Sequence, residues 1–97
     1  MFSSQILQEM KTLTTIIKRE WLAEIIAGRK TTETRAMSKY WNSRLQNIKT
    51  PFRLRLINGM SKTAPEVTVQ IDRVYEIYPT NDYELRIAKV VDVKNWS

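Results

Sequence analysis

Phe52-Arg53-Leu54-Arg55-Leu56-Ile57 alternates apolar and basic residues one by one, a period of two that a strand satisfies and a helix does not. Phe52, Leu54 and Leu56 share one face, Arg53 and Arg55 the other. Two further stretches extend this β character to the end of the chain. Val67, Val69 and Ile71 open a strand that continues irregularly through Val74, Tyr75 and Ile77, and Tyr83, Leu85, Ile87, Val91 and Val93 form a last one that Lys89 interrupts. Arg73 falls on an otherwise apolar parity, which predicts a bulge or a charged group facing a cleft. Asn58-Gly59 and Pro79-Thr80-Asn81-Asp82 are turn signals, although the loop from Asn58 to Pro65 is too long for a two-residue hairpin.

The first half of the chain mixes the two periods. Ser3 to Lys11 carries Ile6, Leu7 and Met10 at a weak helical spacing, so residues 1–11 read as an N-terminal helix or arm and residues 12–97 as one domain. Thr12 to Ile17 is rich in β-branched residues and reads as a strand. Lys18 to Ala27 reads as a helix with Trp21, Leu22, Ile25 and Ile26 in its apolar stripe, and Gly28 is placed to end it in a left-handed conformation. On the strand that follows, Thr31, Glu33 and Arg35 share one side, while Thr32, Thr34 and Ala36 point the other way. Ser38 is a natural N-cap for a helix from Lys39 to about Lys49, with Trp41, Leu45 and Ile48 buried and Pro51 as its stop. Trp21 and Trp41, at stripe positions, are both expected in the core ahead of the alternative, a platform for base stacking. About five strands and two helices in 97 residues predict an α+β domain: a small β-barrel, closed to remove exposed edges, with two flanking helices.

Two missing residue types narrow the chemistry. Without cysteine there is no disulfide framework, thiolate nucleophile or cysteine-ligated zinc, and without histidine the commonest general base and metal ligand are gone. Any reaction would run on Lys, Glu, Asp, Thr, Tyr or Arg, and no cofactor or metal is implied. No apolar run approaches the roughly 20 residues of a membrane span, and the first residues lack the pattern of a secretory signal. The expectation is a soluble, cytoplasmic protein with no membrane partner; the residues do not set an oligomeric state.

Charge points to a partner. The net charge is +6, and residues 1–62 carry 12 Lys and Arg against 4 acids, whereas residues 63–97 carry 4 against 6. Between Arg29 and Arg55 there are eight bases and the single acid Glu33. Such asymmetry suits a polyanion, with RNA the first candidate and DNA the second. Arg29, Lys30, Arg35, Lys39, Arg44, Arg53 and Arg55 are the candidate phosphate contacts. Tyr40, which lies off its helix stripe, is the candidate to stack on a base.

The spacing Gly28-x-Lys30-x-x-Glu33-x-Arg35 resembles the signature of the ASCH domain, a family of small barrels related to the PUA RNA-binding fold. The resemblance extends over residues 12–94, through the strand and helix from Leu13 to Ala27, Tyr40-Trp41 and the long terminal strands. It implies a PUA-like barrel with a cleft beside the first helix, Lys30, Glu33 and Arg35 at its mouth, and work on RNA or modified nucleosides. One branch of the wider family, the small bacterial acetylcytidine amidohydrolases, is similar at Gly28-Arg29-Lys30-Thr31 and again at Arg35. There a catalytic threonine takes the position of Glu33, with the lysine matching Lys30 as its activator. A carboxylate at the nucleophile's position does not support that mechanism, and Thr32 and Thr34 face away from it.

A carboxylate flanked by Lys30 and Arg35 suits an ion pair, or an acceptor for a base amino group, better than a general base. Arg35 offers a planar fork for a phosphate or a guanine edge. Three functions fit these residues: RNA or nucleoside binding in a basic cleft; a metal-independent ribonuclease or modified-nucleoside hydrolase, with Lys30 and Glu33 in acid–base roles and Arg35 stabilising developing charge; and a protein-interaction module. The bland alternative is that Glu33 and Arg35 pair only to pin the barrel's geometry.

Overall fold

The computed structural model describes residues 10–97. The helix or arm expected over residues 1–11 lies, apart from Met10 and Lys11, outside the described residues. Seven elements follow in order: β1 (Thr12–Ile16), α1 (Arg19–Ile26), β2 (Thr32–Ala36), α2 (Lys39–Leu45), β3 (Phe52–Ile57), β4 (Glu66–Ile77) and β5 (Asp82–Lys94). Five strands and two helices are what the sequence predicts, and the domain is α+β.

The strands form one sheet in the order β1-β3-β4-β5-β2, with β1 parallel to β3 and the other pairs antiparallel. β1 and β2 are therefore the two edges. The sheet curls so far that Arg35 on β2 reaches Ile16 on β1, and the product is a half-barrel rather than a barrel closed by a backbone ladder. The closed barrel expected from the sequence is thus a half-barrel, its seam bridged by a side chain.

Register fixes which residues face the concavity. Leu54 lies opposite Leu13 and Val69, and Phe52 opposite Ile71, so the apolar parity of each strand meets that of its neighbours. Phe52, Leu54, Leu56, Val67, Val69, Ile71 and Leu85 are fully buried there, together with Leu22 and Ile25 of α1. Each such side chain stabilises the fold by about 1.5–3 kcal/mol relative to leaving it in water. Arg53 and Arg55 take the convex face, as their parity requires.

Two expectations are corrected in detail, and a third, the bulge at Arg73, is met. Lys89 does not break the last strand; register shifts on either side of it leave Ala88 and Val91 without opposite residues, and the ladder resumes. The irregularity expected at Arg73 is a bulge in which Asp72 is the residue left over. Beyond Ile87 one edge of β5 has no strand beside it among the described residues, and these bulges together with Lys89 and Lys94 blunt it against edge-to-edge pairing. The second helix ends at Leu45, well before Pro51. Ile48 reaches the core from a turn, its amide donating to the Leu45 carbonyl, so the i+7 spacing is satisfied without another helical turn. Its start is as expected, with the Ser38 hydroxyl accepting the Trp41 amide at 3.2 Å.

Candidate functional site

The site begins with the glycine that ends α1. Gly28 has φ +81°, and the chain doubles back so that the Arg29 and Lys30 amides both donate to the Glu24 carbonyl, at 3.0 and 3.1 Å. This fold-back carries the Lys30 side chain against α1, where its ammonium lies 5.6 Å from the centre of the Trp21 ring. Arg29 points outward and makes a two-pronged ion pair with Glu24, which holds that carboxyl below its usual range through the hydrogen bond. The Arg29 guanidinium is thereby engaged on the surface rather than in the cleft.

β2 supplies the other two charges. Glu33 is paired in register with Leu85 and Arg35 with Tyr83, both buried, so the parity read from the sequence turns out to be the concave face. Glu33 is only 5 % exposed, and its two carboxylate oxygens are shared between Lys30 at 3.4 Å and a short hydrogen bond from Arg35. A carboxylate this buried needs such partners, because desolvation without them costs several kcal/mol. Arg35 then spans the open seam: it donates to the Ile16 carbonyl at 3.1 Å and approaches the Thr15 hydroxyl at 3.5 Å. Its guanidinium sits 5.6 Å from the centre of the Trp41 ring.

An open cleft of about 620 Å³ lies over this cluster, lined by Ile16, Ile17 and Lys18 from the end of β1, Trp21 of α1, the stretch from Glu33 to Ala36, and Asn58-Gly59. Asn58 fixes one wall by donating to the Ile17 carbonyl at 2.9 Å. Trp21 is 46 % exposed, which corrects its expected place in the core. In an eight-residue helix the buried arc is filled by Leu22 and Ile25, and Trp21, about 100° round from Leu22, falls on its flank. Trp41 is buried as expected.

The remaining candidates are dispersed. Tyr40 is half-exposed, with the Arg44 guanidinium 3.4 Å from its ring centre and its edge against Trp41. Lys39 is exposed at the start of α2. Arg53 lies on the convex face, away from the cluster. Arg55 is also convex and makes a two-pronged pair with Glu66 at 2.7 and 2.8 Å. That contact holds the Glu66 carboxyl below its ordinary range and raises Arg55. Sequence reasoning ranks a cleft role for Trp21 below a core one, and it does not find Asn58 or the burial of Glu66. The last had one signal, an acid at the first position of an apolar strand diagonal to an arginine.

The chemistry open to this arrangement follows from its donors. An arginine has five N–H groups; Arg35 spends two firmly, on Glu33 and Ile16, and its Nε is buried with no partner among the described residues, so what it can still offer a ligand lies on its terminal nitrogens. Each Glu33 oxygen has capacity beyond its one contact. The cleft thus combines cation, carboxylate and an indole face, the set that orients a flat heteroaromatic ring bearing N–H and C=O groups. Among the described residues no group of three or more Asp or Glu is placed to hold a metal ion, and no helix is long and apolar enough to cross a membrane. A scan against protein-family models finds no match to the chain, and neither does a search of curated proteins.

Proposed function

We propose that this chain is an RNA- or nucleoside-binding module of the ASCH, PUA-like kind, with the cleft between α1 and β2 as its binding site. One observation carries the reading: a buried carboxylate held between two cations stands in an open cleft beside a half-exposed indole. A pair needed only to pin the sheet has no use for the exposed tryptophan beside it. In this reading the basic first half of the chain captures the polyanion, Trp21 stacks on a base, and Glu33 and Arg35 meet its polar edge.

The test is fluorescence anisotropy with short labelled single-stranded RNAs across a salt series, for wild type, Trp21→Ala and Glu33→Gln. Binding that weakens linearly in log salt, and that Trp21→Ala weakens about tenfold, supports the reading. Absent or salt-insensitive binding overturns it in favour of an interaction module. The same RNAs run on a denaturing gel, with and without chelator, separate binding from turnover. Chelator-resistant cleavage lost in a Lys30→Ala/Glu33→Gln variant would make the cluster a catalytic site.

A further inference from the structure

We propose that the ligand of this cleft is a strand of at least two nucleotides, the second seated in an adjoining cleft on the far side of Ile16. The inference rests on the nucleic-acid reading above and deepens it. A second open cleft, of about 630 Å³, borders the first, and the two share Ile16 and Gly59. Gly59 has no side chain to raise a wall there, and Ile16 is 59 % exposed, so the boundary is a low apolar saddle. A mononucleoside fills one cleft and leaves the other, with its exposed Met60 and Tyr40, in water.

The second cleft has its own recognition chemistry. Tyr40 carries the Arg44 guanidinium 3.4 Å from its ring centre, and this paired ring and cation make a flat platform of the kind on which bases stack in any sequence. Lys62, in the loop from Asn58 to Pro65, lines the same cleft and has no ion pair among the described residues. Arg55, by contrast, is neutralised by Glu66. Of the two cations that line this cleft among the described residues, the one free to meet a linking phosphate is therefore Lys62. In the other cleft Arg35 is committed to Glu33, which Lys30 also holds, and Lys18 stands at the rim outside that cluster. One cleft is built to orient a base edge, its neighbour to hold a stacked base and a phosphate, and a linear strand satisfies both.

The experiment is isothermal titration of the full chain with uridine and adenosine 5′-monophosphates and the corresponding ribo-oligomers of two, three and six nucleotides. Wild type is expected to bind dinucleotides about tenfold more tightly than mononucleotides. Tyr40→Ala and Lys62→Ala, each checked for folding by circular dichroism, should remove that increment while leaving mononucleotide affinity unchanged. Affinity independent of length, or variants that weaken mononucleotides and oligomers alike, overturns the two-cleft inference and leaves the first cleft standing. Failure of every length to bind overturns the nucleic-acid reading itself, and this inference with it.

Discussion

Arg35 on β2 donates to the backbone carbonyl of Ile16 on β1 at 3.1 Å, and so ties together the two edges that the sheet's own hydrogen bonds leave apart. The same guanidinium holds Glu33, so the charge cluster is both the floor of the cleft and the clasp of the half-barrel. Arg35→Ala removes both contacts and leaves Glu33 buried with Lys30 alone. The expected loss is about 3 kcal/mol, at the lower end for breaking a buried pair because Lys30 remains. Arg35→Lys keeps the charge but has no fork to reach Glu33 and Ile16 together, and should recover less than half of that loss. Urea unfolding of the two variants measures this; a lysine variant as stable as wild type would mean that charge alone matters and that the seam is held elsewhere.

The two tryptophans near the cluster should separate stability from binding. Trp41 is 7 % exposed and packed in the core, so Trp41→Ala should cost about 3–5 kcal/mol. Trp21 stands 46 % exposed beside Lys30, and Trp21→Ala should cost about 1 kcal/mol or less. Thermal melts provide the comparison. Equal losses from the two would place Trp21 in the core and remove the indole wall from the cleft.

Most of the elements were legible because each is written in local period and punctuation. The alternation of Phe52 to Ile57, the Ser38 cap and the positive φ of Gly28 are decided within a few residues. The common face of Glu33 and Arg35 follows from parity alone. That this face is the concave one does not, because it depends on Leu85 and Tyr83 lying opposite, a pairing made some fifty residues further on. The placing of β1 and β2 at opposite edges, and hence the seam that Arg35 spans, is likewise a property of strand order. Trp21 was misplaced for a related reason. Helical spacing allows it on the stripe, and only the narrow contact of a short helix against the sheet excludes it.

Acid should weaken the convex pair before it touches the core. Glu66 is nearly buried, and its hydrogen bond from Arg55 lowers its pKa in the folded chain relative to the unfolded one. Its contribution is therefore fully present above the ordinary carboxylate range, and it is lost as the pH falls from about 4 through the folded value. Replacing Glu66 by Gln removes the charge that responds. Wild type and Glu66→Gln should converge in stability as the pH drops below that range, and diverge to a constant gap above it. Melting temperatures across a pH series give both limits; a gap that widens on acidification would mean the pair has the opposite sign.

Gly28→Ala isolates the cost of backbone conformation at the turn that presents Lys30. A Cβ built on Gly28 meets nothing within 4 Å, so the substitution introduces no collision. Its φ of +81° is nevertheless one that a residue with a Cβ adopts only under strain, at about 1 kcal/mol. Were the turn to keep its shape, that would be the whole effect, and ligand affinity would stand unchanged. Were the turn instead to relax, the Arg29 and Lys30 amides would leave the Glu24 carbonyl, Lys30 would leave Glu33 and Trp21, and affinity would fall with stability. The first outcome is expected, because two amides donating to one carbonyl and a further bond from Gly28 to Ile25 over-determine the fold-back. Urea unfolding and RNA titration of the same variant distinguish the two: about 1 kcal/mol lost with full affinity marks a rigid turn, and a joint loss marks one that the glycine alone was holding.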